Sequence, residues 1–148
     1  MKDPRQDSEE PLHDRALLLY GQKRNEVLTL GEVQRYASDS FCDPDYIRLY
    51  GMTPSQWYAR GIRLLGRTAV QCTRDQLADR IGRDVAAVAA SVPAETRCLV
   101  VDPFAGSCNA LYWILRHVPR SRGIAFEFDF KVYELTRQTL RGWTGRSS

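Results

Sequence analysis

The chain has 148 residues, 43% of them hydrophobic and 26% charged, with a formal net charge of +3. That length suits one ordinary domain and excludes two large ones. The charge excess permits a nucleic-acid partner without arguing for one, since no strongly basic stripe accompanies it.

The amino terminus, MKDPRQDSEEP, is polar and has no apolar core segment. Neither a signal peptide nor a membrane span is expected, and a cytoplasmic location is the default. Met1 to Glu10 reads as a loose tail. Leu12 to Tyr20 carries Leu17, Leu18 and Leu19, reads as a short helix and is stopped by Gly21; Gln22 to Asn25 is a polar linker.

Three helix starts follow. Thr29 with Glu32 matches a capping box, Asp43 precedes Pro44, and Thr53 is followed by Pro54 and Gln56. In each, a side-chain oxygen can accept an orphan amide of the first turn. Gly51 and Gly66 are candidate stops, so Val27 to Gly66 reads as three short helices. Their apolar residues, among them Tyr36, Tyr46, Ile47, Tyr50, Trp57, Tyr58, Ile62 and Leu65, read as a packing face.

The next helix is expected after Thr73, with Gln76 in the capping-box position and a stripe of Leu77, Ile81, Val85 and Val88. Pro93 ends it. Gly82 is either tolerated inside one helix or splits the segment into two. TRDQLADRIGRDVAAVAASV resembles the helix-turn-helix segment of small DNA-binding domains, through Leu77, Ala78, Ile81, Gly82 and Val88. The resemblance implies Arg83 and the following turn against a major groove. The alternative is one amphipathic helix packed on a sheet, favoured because Asp84 and the short alanines make poor base readers.

Cys98 to Val101 is an apolar run without strict alternation, as expected of a parallel strand covered on both faces. Asp102, Pro103, Phe104, Ala105 and Gly106 form the following turn, and Ser107 and Asn109 are candidate caps for a helix through Leu111, Trp113 and Ile114. A second strand is expected from Gly123 to Phe126, closed by Glu127, and a last helix from about Phe130 to Arg141, followed by a polar tail. Ligands of open parallel sheets bind beyond the carboxyl ends of the strands, and a carboxylate at Glu127 suits two ribose hydroxyls. The bland reading has Glu127 capping the next helix or pairing with Lys131. Cys42, Cys72, Cys98 and Cys108 form no CxxC pair and read as buried free thiols, in preference to a zinc site with His13 or His117.

DPFAGS, with the acidic residue that closes the second strand, resembles motif I and the following acidic motif of class I S-adenosylmethionine-dependent methyltransferases, especially the DPFxGSG form of amino-methylating nucleic-acid enzymes. Cys108 stands where glycine is usual, and the match runs from Cys98 to Trp143. The resemblance implies an α/β, partial Rossmann-like methyltransferase fold: parallel strands with flanking helices, preceded by a helical extension. It implies a tail and short helix over 1–25, the extension over 26–95, and the cofactor-binding half over 96–148. S-adenosyl-L-methionine would be the cofactor. Asp102, Pro103, Phe104, Ala105, Gly106, Ser107 and Asn109 would line its pocket, Glu127 would hold its ribose, and Phe128 would pack on adenine. Methyl transfer to a nucleic-acid amine would follow. The family's Asn/Asp-Pro-Pro-Tyr/Phe sequence is not found in these residues, so no catalytic residue is assigned. The competing expectation is a non-catalytic module that binds nucleic acid, or that completes its sheet with a second copy or another chain.

Overall fold

A computed structural model of the protein describes residues 14–93 and 95–144. The expected tail from Met1 to Glu10, the helix start at Leu12, His13 and residues 145–148 lie outside them. The elements run α1 (Arg15–Leu19), a 3-10 turn (Gln22–Asn25), α2 (Leu30–Phe41), α3 (Pro54–Ala59), α4 (Gly66–Gln71), α5 (Asp75–Ala89), β1 (Cys98–Asp102), α6 (Asn109–His117), β2 (Ser121–Ala125) and α7 (Phe130–Thr144). Helices dominate, and the sheet among the described residues has two parallel strands.

The expected α/β, partial Rossmann-like methyltransferase fold is thereby corrected. A doubly wound sheet has several strands and helices on both faces. Here the described residues before Cys98 commit their apolar side chains to a helical core, and the two strands remain an open appendage to it.

Of the three caps expected between Val27 and Gly66 two form, and the one expected at Thr73 with Gln76 does not, since Arg74 is the N-cap of α5 and makes no side-chain bond there. Thr29 Oγ1 accepts from the Glu32 amide at 3.2 Å, while Glu32 Oε2 accepts from the Thr29 amide at 2.8 Å. Thr53 and Gln56 exchange the same pair at 3.4 and 2.9 Å. Each cap contributes about 1 kcal/mol. Asp43 instead makes a turn. Its Oδ1 accepts from the Asp45 amide at 2.9 Å, and its carbonyl accepts from the Tyr46 amide at 3.1 Å. No helix follows, because Ile47, Leu49 and Tyr50 turn into the core and the chain reverses through Tyr50 and Gly51, both at positive φ. Val27 to Gly66 thus holds two helices, and Gly66 opens α4 where a stop was expected.

The core gathers Leu18, Leu28, Val33, Tyr36, Ile47, Leu49, Trp57 and Ile62. Trp57 is fully buried, and its indole N–H donates to the Ile47 carbonyl at 2.9 Å. Phe41 stacks on Tyr46 at 4.1 Å, with the Arg74 guanidinium 4.7 and 5.0 Å from the two ring centres.

α5 is one helix running through Gly82, in line with the favoured single-helix reading and against the helix-turn-helix resemblance, but it packs on α6 rather than on the sheet. Its expected stripe is not the inner face either: Leu77 and Val88 are 56% and 74% exposed, while Asp75, Ala78 and Gly82 are buried. The reason is close packing on α6. A Cβ at Gly82 would stand 2.7 Å from the Trp113 carbonyl oxygen and 2.7 Å from His117 Cδ2. His117 Nε2 lies 2.7 Å from Asp79 Oδ1, which closes the same crossing.

The strands align Cys98 with Ser121 through Asp102 with Ala125. α6 covers one face, approaching so closely that a Cβ at Gly123 would meet Leu115 Cδ1 at 2.8 Å. Residues paired with or two removed from Gly123 share that face. Leu99, Val101, Ile124 and Phe126 therefore lie on the other, where they are 60%, 51%, 43% and 57% exposed. The expectation that both faces are covered is corrected. No described helix is long and apolar enough to cross a membrane.

Candidate functional site

The loops at the carboxyl ends of β1 and β2 bring most of the predicted site residues together. Asp102 Oδ1 accepts from the Phe104 amide at 3.0 Å, a local turn that carries Pro103. Pairing continues past the strands. The Phe126 amide donates to the Asp102 carbonyl and the Ala105 amide donates to the Phe126 carbonyl, both at 2.9 Å. Gly106 sits at φ +51° in open space, so conformation rather than crowding accounts for glycine there.

Glu127 faces back into this loop. Its Oε2 accepts from the Gly106 amide at 2.9 Å and its Oε1 from the Asp129 amide at 2.8 Å. One carboxylate thus ties the first turn to the second, using both oxygens on backbone donors. The next helix is capped by Asp129 rather than Glu127: Asp129 Oδ1 accepts from the Lys131 and Val132 amides at 3.0 and 3.1 Å. Its other oxygen meets Arg67 at 2.7 Å. The Val132 amide and the Arg67 guanidinium hold the Asp129 carboxyl below the usual carboxylate range. Thr136 of α7 donates to the Gly106 carbonyl at 2.7 Å, which fastens that helix to the loop.

Ser107 and Asn109 are buried in the wall of a polar hollow beside the loop, and their bonds run to the helical core. Neither caps α6, whose N-cap is Cys108 in the left-handed region without a side-chain bond. The Ser107 carbonyl accepts from the Tyr50 hydroxyl. Asn109 Oδ1 accepts from the Tyr50 amide at 2.7 Å, and its amide group donates to the Thr73 carbonyl at 2.7 Å and Asp75 Oδ1 at 3.0 Å. Asp75 also accepts from Trp113 Nε1 at 2.7 Å and from the Gly51 amide at 2.9 Å. This buried polar seam joins the helical core to the strand–helix unit. Sequence reasoning missed Asp75 and Tyr50, because their partners lie 34 and 59 positions away and leave no local signal. It also missed Arg67, whose partners Asn25 and Asp129 are equally remote.

Phe104 and Phe128 are exposed beside the loop, and Phe128 has no burial at all. Cys42 is exposed, Cys72 and Cys108 are buried and Cys98 is half-buried; all four are free. Burial, then the Asp102 and Glu127 charges, push the Cys108 thiol up to about 11. No three His, Cys, Asp or Glu side chains among the described residues gather as a metal-holding group.

Two hollows flank the loop. One of about 370 Å³ is polar and includes Arg67, Gln71, Thr73, Asp102 and Glu127. The other, of about 220 Å³, is mainly apolar and lies between α7 and the end of β2, with Cys108, Ala125, Phe126 and Leu140 in its wall. The assignment of S-adenosyl-L-methionine is corrected with the fold. The Rossmann-type sheet that carries that cofactor is not what these strands form, and the expected methyltransferase activity on a nucleic-acid amine falls with it. Comparisons with protein-family models, with characterised proteins and with solved structures return no match to this chain.

Proposed function

We propose that this chain is an interaction module whose open sheet is completed by another polypeptide. The carrying observation is the bare apolar face of Leu99, Val101, Ile124 and Phe126 on a two-stranded parallel sheet. Parallel strands normally have both faces covered, and a two-stranded sheet is marginal by itself. Four large apolar side chains side by side mark a contact surface more often than a free one. Unpaired strand edges add a row of amides and carbonyls that a further strand satisfies. In this reading Asp102 to Gly106, Glu127 and Phe128 shape the end of the docking surface, and the helical core is its support.

A nucleic-acid partner is the weaker reading. The exposed rings Phe104, Phe128 and Phe130 suit stacking, but Asp102, Glu127 and Asp129 stand among them and repel phosphates.

Selection from a displayed library of random peptides about twelve residues long tests the proposal. Recovered peptides are expected to be extended and apolar in alternation, and to bind the Val101→Asp/Ile124→Asp variant about tenfold more weakly. Val101 and Ile124 are direct partners across the strands, so a second variant, Val101→Thr/Ile124→Thr, which keeps the branched shape without opposed charges, is expected to weaken binding in the same direction. Failure to recover any peptide, or binding that ignores the double substitution, removes the reading.

A further inference from the structure

We infer that the outer edge of β2, beside α7, takes an extended apolar segment with acidic ends, one side chain of which enters the hollow between α7 and the strand. This rests on the docking reading above and adds the edge used and the chemistry selected.

The backbone fixes the two edges. Phe126 directs its amide to the Asp102 carbonyl and its carbonyl to the Ala105 amide, so both groups face the β1 side. Polar groups alternate along a parallel strand. Those of Ile124 and Arg122 therefore also face β1, and those of Gly123 and Ala125 point outward. By the same alternation, Leu99 and Val101 present theirs at the far edge of β1, because the Asp102 carbonyl faces β2.

The flank of β2 is the better furnished. The hollow of about 220 Å³ is walled by Ala125 at the end of β2, by Phe126 and Glu127 beyond it, by residues of α7, and by Ala105, Gly106 and Cys108 of the loop after β1; β1 itself contributes none. α7 therefore stands beside the carboxyl end of β2. An apolar cavity of about 150 Å³ already takes a benzene-sized group, so one leucine- or valine-sized side chain fits.

Charge selects the ends of the segment. Arg122 lies on β2 itself, and Arg137 and Arg141 line the hollow. Arg137 is 3.4 Å from Glu134, and Glu127 already accepts two backbone amides. Acidic residues flanking the apolar run complement these guanidiniums.

A second copy would bring its own Arg122, Arg137 and Arg141 to the edge it meets, whereas a segment with acidic ends complements them.

The test uses the full chain, labelled for amide hydrogen exchange, and synthetic peptides. The probe alternates valine and threonine between glutamate ends. One control replaces the glutamates by lysines, and the other methylates alternate peptide amides. Gly123 and Ala125 are expected to exchange about tenfold more slowly with the glutamate peptide, less so with the lysine peptide, and unchanged with the methylated one. Protection of Leu99 and Val101 instead overturns this inference and leaves the docking reading standing. Absence of binding by any peptide, here and in the library selection, overturns both. A doubled mass in light scattering, with Gly123 and Ala125 protected before peptide is added, overturns the choice of occupant in favour of a second copy.

Discussion

Replacing Asn109 by alanine tests whether the polar seam holds the two parts of the molecule together. Asn109 is 1% exposed and makes three hydrogen bonds, to the Tyr50 amide, the Thr73 carbonyl and Asp75. Truncation leaves the Tyr50 N–H buried without its acceptor, at about 1–3 kcal/mol, and takes one donor each from Thr73 and Asp75. Asp75 keeps Trp113 and Gly51, so its loss is partial. The sum is about 3 kcal/mol, a large share of the ~5–15 kcal/mol that holds a domain folded. For a chain of this size that lowers Tm by about 6–12 °C. Urea unfolding followed by tryptophan fluorescence and by far-UV circular dichroism reads it. Asn109→Asp is expected to cost more than Asn109→Ala, because it sets a second carboxylate against Asp75 Oδ1. An alanine variant within about 0.5 kcal/mol of the parent, at unchanged denaturant slope, refutes the seam as a stabilising joint.

Gly82→Val forces a branched side chain into the α5–α6 crossing, where even a Cβ meets the Trp113 carbonyl oxygen at 2.7 Å. The overpacking is expected to cost about 2 kcal/mol or more in urea unfolding, and a neutral variant would mean the helices stand farther apart. Glu127→Gln leaves one acceptor oxygen for the two amides of Gly106 and Asp129. Those two amides should exchange faster, with global stability reduced by about 1–2 kcal/mol, and unaltered exchange would contradict the loop tie. At pH 8, iodoacetamide should label exposed Cys42 well before Cys72 and Cys108, whose thiols burial pushes up to about 11. Those raised values act on stability in one direction: both thiols stay neutral in the fold while the unfolded chain ionises near its ordinary 9.0. Stability from this source is complete below pH 9 and falls between pH 9 and 11, and Cys72→Ala should flatten that fall.

What the sequence disclosed was local. Thr29–Glu32 and Thr53–Gln56 announce their helices because cap and partner are three residues apart, and the apolar run at Cys98 announces its strand. Asp43–Pro44 carries the same cue and yields a turn, since the residues behind it are drawn into the core. The α5 stripe misled for a related reason. Hydrophobic periodicity predicts which face is buried only when area is the deciding term, and here close approach decides, through Ala78 and Gly82. The candidate site divided in the same way. Spacing placed Asp102, Gly106 and Glu127 in one loop system, but nothing local told that Glu127 would turn inward or that Asn109 would serve a seam with Tyr50 and Asp75.

The distribution of these contacts bears on how a partner would be received. Large buried side chains gather in the helical core around Trp57, and the seam at Asn109 anchors the first turn of α6 to that core. Among the described residues β1 and β2 have one covered face and only each other as ladder partners. Opening of the strands therefore requires loss of few buried contacts, while the loop tied by Glu127 and Thr136 sits on the anchored side. Such a division keeps the docking edge soft and its base rigid. A segment that pairs with β2 would order the strands on arrival, so part of its interaction energy goes into that ordering and its affinity is expected to be moderate for the area it covers.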